Sequence, residues 1–331
     1  MERLALLTCL VLFSPGLALH PALARAAEPY APVRFLTSGN VDLWPCFASD
    51  GNQVLFTRGD GADARFWVVP AAGGQARPFT PSTMAIAATR ANWSRQINRI
   101  AFTGIVNGHD QVWLIDADGS NARQVTAAGL SDESFYPSWY PDGNTIAVMD
   151  GRDLVIKKID LTRGSAVPLT QHAQVMTGMP SVSPDGNWIA FAGQENHAQP
   201  YDQTKNSIWL VDATGVARPL ESTPAQGRAP TWSPDGRRLA FESNRASLLG
   251  SYAIFLINRD GTGLVQVTDS SLNADHPVWS PDGRRLAISA RPFSLQKGRG
   301  IAIIDLPGAY SPEPPPPSAT PRNTPSDRDP R

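Results

Sequence analysis

A short signature recurs along the chain with a period of about 46 residues, and no other feature limits the fold as severely. It reads Pro45-Cys46-Phe47-Ala48-Ser49-Asp50-Gly51, then Pro137-Ser138-Trp139-Tyr140-Pro141-Asp142-Gly143, then Pro180-Ser181-Val182-Ser183-Pro184-Asp185-Gly186. Two more copies follow, Pro230-Thr231-Trp232-Ser233-Pro234-Asp235-Gly236 and Pro277-Val278-Trp279-Ser280-Pro281-Asp282-Gly283. A degenerate copy, Ala91-Asn92-Trp93-Ser94-Arg95-Gln96, fills the gap after the first. Self-similarity at such a period marks an array of supersecondary units, each unable to bury its apolar faces alone.

The signature has a turn mechanism inside it. Proline presets φ, Asp bonds its own backbone two residues on, and Gly takes positive φ without steric cost, so Ser-Pro-Asp-Gly closes a hairpin. The following strand reads Val54-Leu55-Phe56, Ile100-Ala101-Phe102, Ile146-Ala147-Val148, Ile189-Ala190-Phe191, Leu239-Ala240-Phe241 and Leu286-Ala287-Ile288. Both faces are apolar, so both are expected to be buried. A third strand follows (Trp67–Val69, Trp113–Asp116, Ile156–Asp160, Trp209–Asp212, Phe255–Asn258, Ala302–Asp305), interrupted in the third unit by Lys157 and Lys158, for which the sequence offers no reason. A fourth ends in a compact tag such as Pro78-Phe79-Thr80, Pro168-Leu169-Thr170 or Gln266-Val267-Thr268. The last unit lacks its tag, and the missing copy, Phe35-Leu36-Thr37, stands at the other end of the repeat array. That offset predicts an all-β fold: a six-bladed β-propeller of four-stranded antiparallel blades, its ring closed by the N-terminal strand completing the last blade.

Around this body, residues 1–26 are expected to be a signal peptide: Arg3, an apolar run from Leu4 to Leu19, and the small-x-small ending Ala24-Arg25-Ala26. Ser14-Pro15-Gly16 breaks a run already short for a membrane span. The propeller then occupies 27–306, and 307–331 reads as a Pro-rich disordered tail containing Pro314-Pro315-Pro316-Pro317. Cys9 lies in the signal segment, which leaves Cys46 as a small buried hydrophobe. The formal net charge of -1, without a basic run, argues against a nucleic-acid role. The regular scatter of 30 Pro and 27 Gly argues against a helical bundle.

The Pro-x-Trp-Ser-Pro-Asp-Gly-x-x-Ile-Ala-Phe pattern resembles the WD40-like (PD40) repeat of TolB-type propellers, and the resemblance covers roughly Val33 to Leu306. It implies a periplasmic, non-catalytic scaffold of the cell envelope, with a Pal-like lipoprotein as partner and no cofactor. TolB-type proteins carry a smaller α/β domain ahead of the propeller, and too few residues precede the first strand here to supply it.

Other chemistry is weakly signalled. Asp116-Ala117-Asp118-Gly119 hints at a Ca²⁺ loop, but its counterparts Asp212-Ala213-Thr214-Gly215 and Asn258-Arg259-Asp260-Gly261 point to a hairpin turn. His109, His172, His197 and His276 fall in loops expected on one face, which keeps open a propeller enzyme, a polysaccharide lyase or hydrolase, with a His-based site there. No Gly-x-Ser-x-Gly and no phosphate-binding Gly loop occurs. The residues just before each innermost strand differ in every unit, and Trp44, Arg90, Tyr136, Met179, Arg228 and His276 are expected to ring the channel mouth as a partner-binding surface. Aromatic anchors mixed with cations are the composition of binding hot spots. The long loop from Gly193 to Asn206, with Glu195, His197, Tyr201 and Asp202, is expected at its rim. The reading is a monomer with no metal.

Overall fold

The computed structural model describes residues 30–308 apart from 81–85, 126–128, 132, 172–174, 196–199, 201, 221–225, 248 and 292–297. The expected signal segment with Cys9, the tail beyond 308, His172, His197 and Tyr201 lie outside the described residues.

Six four-stranded sheets are present, every adjacent pair antiparallel. The innermost strands of blades 1 to 6 are Asp42–Phe47, Ala87–Trp93, Ser134–Trp139, Val175–Val182, Gly227–Trp232 and Ala274–Trp279. Each is followed through its turn by a second strand, from Gln53–Arg58 in blade 1 to Arg285–Ala290 in blade 6. In blade 6 the outermost strand is Val33–Phe35, paired with Gly300–Asp305 in the register Val33↔Ile304, Arg34↔Ile303, Phe35↔Ala302. The ring is therefore closed across the chain ends, as the missing tag predicts. Among the described residues there is no α-helix, only short 3₁₀ turns.

The tag threonines have a definite job. Thr170 and Thr268 accept the backbone N–H of Ile156 and Ile254 at 2.9 Å, extending the ladder with a side chain where the outer strand has ended. Thr37 does the same for Ile301 at 2.9 Å, so the closing strand reproduces the other blades' bond across 264 residues of sequence.

The apolar core is divided into six clusters, one at each blade-to-blade junction. Second strands supply both sides: Ile100 and Phe102 face blade 1, and Ala101 faces blade 3, where Trp139 and Ile146 fill the space an Ala leaves. The signature tryptophan clasps neighbouring blades. Trp139 donates its indole N–H to the Asn92 carbonyl at 3.0 Å, and its backbone N–H to Asn92 Oδ1 at 3.1 Å. Trp232 and Trp279 repeat the indole bond to Ser181 and Thr231 of the preceding blade. In the degenerate blade 2 the indole N–H of Trp93 is buried without a partner among the described residues.

The turns behave as their chemistry demands. Gly186 sits at φ +73°, and a Cβ there would come within 3.0 Å of the Pro141 ring of blade 3. Asp118 accepts both the N–H and the hydroxyl of Ser120, so the acidic loop considered for Ca²⁺ is a self-bonded hairpin turn. Lys157, unexplained by sequence, is buried at the top of blade 3. It donates to Asp150 at 2.7 Å, to the Gly129 carbonyl at 2.6 Å and to Asp153 at 3.2 Å. Lys158 lies over the Tyr140 ring at 4.6 Å.

Candidate functional site at the channel mouth

Every innermost strand carries a bulge at the same place. In blade 1 the register breaks between Leu43 and Cys46, so Trp44 and Pro45 together face the single residue Phe56 of the second strand. The same break follows Thr89, Phe135, Gly178, Arg228 and Asp275 in the other blades. The extra residue bends the strand and re-aims one side chain. Proline fits at the second bulge position because the ladder needs no N–H there.

The first bulge residue adopts positive φ in all six blades: Trp44 50°, Arg90 54°, Tyr136 55°, Met179 54°, Ala229 46° and His276 51°. None is glycine, and the left-handed region costs an ordinary residue about 1–2 kcal/mol. Strain of this kind clusters where a structure positions functional side chains. The six together line a cavity of about 110 Å³ at one end of the central channel.

Five of the six residues expected at the mouth are on this ring: Trp44, Arg90, Tyr136, Met179 and His276. Three details differ from expectation. The ring residues lie inside the innermost strands rather than before them, and His276 is accordingly a strand residue, not a loop residue. The blade 5 position is Ala229, and Arg228 stands one place earlier. There its Nε lies 3.2 Å from Glu242 Oε1, and it donates to the Tyr252 hydroxyl at 3.2 Å. In the rim segment, Gly193–Glu195 extends the strand Trp188–Glu195, and Asp202 accepts from Thr204 in a short 3₁₀ turn.

The ring is chemically lopsided. From blade 6 through blade 3 its members touch in sequence. Trp44 donates its indole N–H to His276 Nε2 at 2.9 Å. The Arg90 guanidinium lies between the Trp44 and Tyr136 rings, at 4.8 and 4.7 Å from their centres. Each such cation–π contact is worth about 0.5–2 kcal/mol. Asp110 lies 3.4 Å from Arg90; burial and the nearby Glu133 hold its carboxyl above the usual value although Arg90 opposes this. On the far side, Met179 and Ala229 leave a smaller, apolar sector.

His276 is held by charge. Its Nδ1 lies 3.1 Å from Asp275 Oδ1, its backbone N–H donates to Glu242 at 2.7 Å, and Arg299 pairs with Asp275. Burial pulls the imidazole down, but Asp275 and Glu242 outweigh burial and Arg228, so its pKa is raised above the ordinary value. His109 is elsewhere on the blade tops, 3.1 Å from Glu133. Among the described residues no group of three His, Cys, Asp or Glu is placed to hold a metal. Cys46 lines the channel below the mouth with its thiol buried and pushed up to about 11 by desolvation.

The sequence pattern missed the pairing of His276 with Trp44, which are 232 residues apart. Of the pair Arg228-Ala229 that the sequence places at the mouth, it points to Arg228, although Ala229 is marked by standing directly before the signature proline, as Trp44, Tyr136, Met179 and His276 do.

Comparison with known proteins agrees with this architecture. The family model described as the TolB beta propeller domain (PD40) matches residues 37–201. The Tol-Pal system protein TolB of Anaeromyxobacter sp. (strain K) is 33% identical over 199 residues, covering 59% of this chain and 41% of that protein. The match thus spans about two fifths of the relative's length. The crystal structure of TolB from Acinetobacter baumannii superposes with a TM-score of 0.58 at 16% identity, over 78% of this chain and 64% of that one. A gluconolactonase from Xanthomonas campestris gives 0.62 at 16% identity, over 87% and 93%, which is likeness of fold alone. No helix among the described residues is long and apolar enough to cross a membrane. With the repeat, the six-bladed closure and the family match in agreement, the chain is a six-bladed β-propeller similar to the TolB beta propeller domain (PD40).

Proposed function

We propose that this propeller is a non-catalytic scaffold of the cell envelope, exported to the periplasm, and that it receives a protein partner at the channel mouth, a Pal-like lipoprotein by likeness to the Tol-Pal relatives. The observation that carries the reading is the ring of six strained, left-handed residues, whose side chains differ in every blade while the strands beneath them repeat. A fold needs the bulge; it does not need Trp, Arg, Tyr and His on it. The bonded arc of His276, Trp44, Arg90 and Tyr136 forms a rigid wall, preorganised as high-affinity surfaces are. The apolar sector at Met179 and Ala229 leaves space for an inserted side chain of the partner. The competing reading, a polysaccharide lyase or hydrolase, draws on likeness of fold to propeller enzymes.

The test is photo-crosslinking in intact cells with a benzophenone amino acid at Met179, followed by mass spectrometry. An envelope lipoprotein should be captured, and Trp44→Ala combined with Tyr136→Ala should remove it. An unchanged set of captured proteins in the double variant would overturn the binding surface.

A further inference from the structure

The cavity at the mouth adjoins a second one of about 140 Å³, which shares Asn92, Ser138, Ser181 and Thr231 with it. At its far end the repeat departs from proline in two blades. The fifth position of the signature is Pro141, Pro184, Pro234 and Pro281 in blades 3 to 6, Ser49 in blade 1 and Arg95 in blade 2. Arg95 lines the cavity together with Gln96. Arg95 is exposed to solvent and Cys46 lines the same cavity.

The chemistry of this wall is one-sided. No Asp or Glu lines the cavity. Arg95 has no ion pair or hydrogen bond among the described residues, whereas Arg58, Arg90, Arg228 and Arg299 each have a carboxylate partner. The protein packed beside Arg95 pulls its pKa down, and no carboxylate is among the groups that oppose this. A cation with no counter-charge in the wall around it is open to pairing with an anion. The Ser181 hydroxyl and the Gln96 amide face the same cavity without protein partners among the described residues, and both can donate to oxygen.

We propose that the lower channel is a binding site for a small oxyanion of the phosphate or sulfate class, held by Arg95 with Ser181 and Gln96. The guanidinium fork suits tetrahedral oxyanions through paired N–H···O bonds. A cavity of about 140 Å³ accommodates a free ion of this class. The site is at the opposite end of the channel from the proposed partner surface and does not depend on it.

Isothermal titration of the full chain with sodium phosphate, and separately sodium sulfate, against sodium chloride at equal ionic strength tests the site. Saturable binding is expected in the native protein. Arg95→Gln should weaken it about tenfold or more, the scale of a lost charge-assisted hydrogen bond. Arg95→Lys should retain part of it, and Arg90→Gln at the mouth should leave it unchanged. Thermal unfolding of each variant checks that it folds; Arg95 is exposed in a bend and its side chain makes no bond among the described residues that the substitution would remove. Absence of saturable binding, equal binding in Arg95→Gln, or loss in Arg90→Gln alone would overturn the assignment.

Discussion

The indole N–H of Trp44 donates to Nε2 of His276 at 2.9 Å, joining the first blade to the last at the mouth of the channel. The bond requires Nε2 to be unprotonated, so the remaining proton is on Nδ1, directed to Asp275. The carboxylates of Asp275 and Glu242 favour the opposite state, the imidazolium, and raise the pKa of His276. The contribution of those carboxylates is complete below the ordinary histidine value of about 6.5 and fades as pH rises through the higher folded value. The indole bond has the reverse dependence.

Acidification is therefore expected to release Trp44. The indole ¹H–¹⁵N resonance of Trp44, assigned by its loss in Trp44→Phe, should shift with a midpoint above about 6.5 and track the His276 ring. In His276→Phe the same resonance should be flat across that range. A Trp44 signal that titrates identically with and without His276 would contradict the coupling.

The two kinds of signature tryptophan should respond differently to one conservative change. Trp139→Phe removes the donor to the Asn92 carbonyl and leaves that group buried, which costs about 1–3 kcal/mol on urea unfolding. Trp93 has no acceptor for its indole N–H, so Trp93→Phe should cost less than half as much and come out close to neutral. Equal losses in the two variants would mean that the indole bonds do not clasp the blades.

The repeat arithmetic carried most of the architecture, because its terms are local: Pro-Asp-Gly turns, apolar strands of fixed length, and a tag whose absence at Asp305 is made good by Phe35-Leu36-Thr37. The mouth was read less completely. A period of two cannot show where a strand gains an extra residue, so the charge of Arg228 draws the expectation to it, whereas the bulge puts Ala229 on the ring. Lys157 breaks the apolar rhythm because its partners Asp150, Asp153 and Gly129 come from the end of the neighbouring strand, the turn after it and a separate loop. The Trp44–His276 contact depends on ring closure and has no local trace at all.

The Lys157 cluster makes a stability prediction with a defined pH window. Asp150 is fully buried; burial opposes its charge, but bonds from Lys157 and Ser131 win and depress its pKa, while Lys157 is raised by the same pairing. The contribution of Asp150 is present above its unfolded pKa of about 3.9 and is lost as pH falls through the lower folded value; that of Lys157 is present below about 10.4 and is lost as pH rises through the higher one. Lys157→Met strands a buried carboxylate and should cost about 3 kcal/mol near neutrality. The deficit should shrink towards pH 3, where Asp150 takes up a proton more readily in the variant. A loss independent of pH would assign the effect to packing.

Ring closure through Thr37 should be energetically equivalent to the bond inside an ordinary blade. Thr37→Val and Thr170→Val each leave one buried third-strand N–H, of Ile301 and of Ile156, without its acceptor. Each should lower stability by about 1–3 kcal/mol in urea unfolding. If Thr37→Val were silent while Thr170→Val was not, the closing strand would be peripheral to the cooperative unit.

The strain at the mouth can be measured where the side chain itself is dispensable. Ala229 holds φ at 46° with only a methyl group on the ring, so Ala229→Gly removes little contact while relieving a left-handed conformation worth about 1–2 kcal/mol. Part of that gain is offset by the extra freedom of glycine in the unfolded chain, about 0.4–1 kcal/mol. A net stabilisation of roughly 0.5 kcal/mol is expected from the urea midpoint. The control is Ala190→Gly, in the buried second strand of blade 4, where no positive φ is present to relieve and a loss of about 1 kcal/mol is expected from backbone entropy. Opposite signs at two alanines in adjacent blades would show that the bulge conformation is imposed on the ring residue by the fold. Losses at both would mean that the left-handed geometry at Ala229 carries no measurable strain.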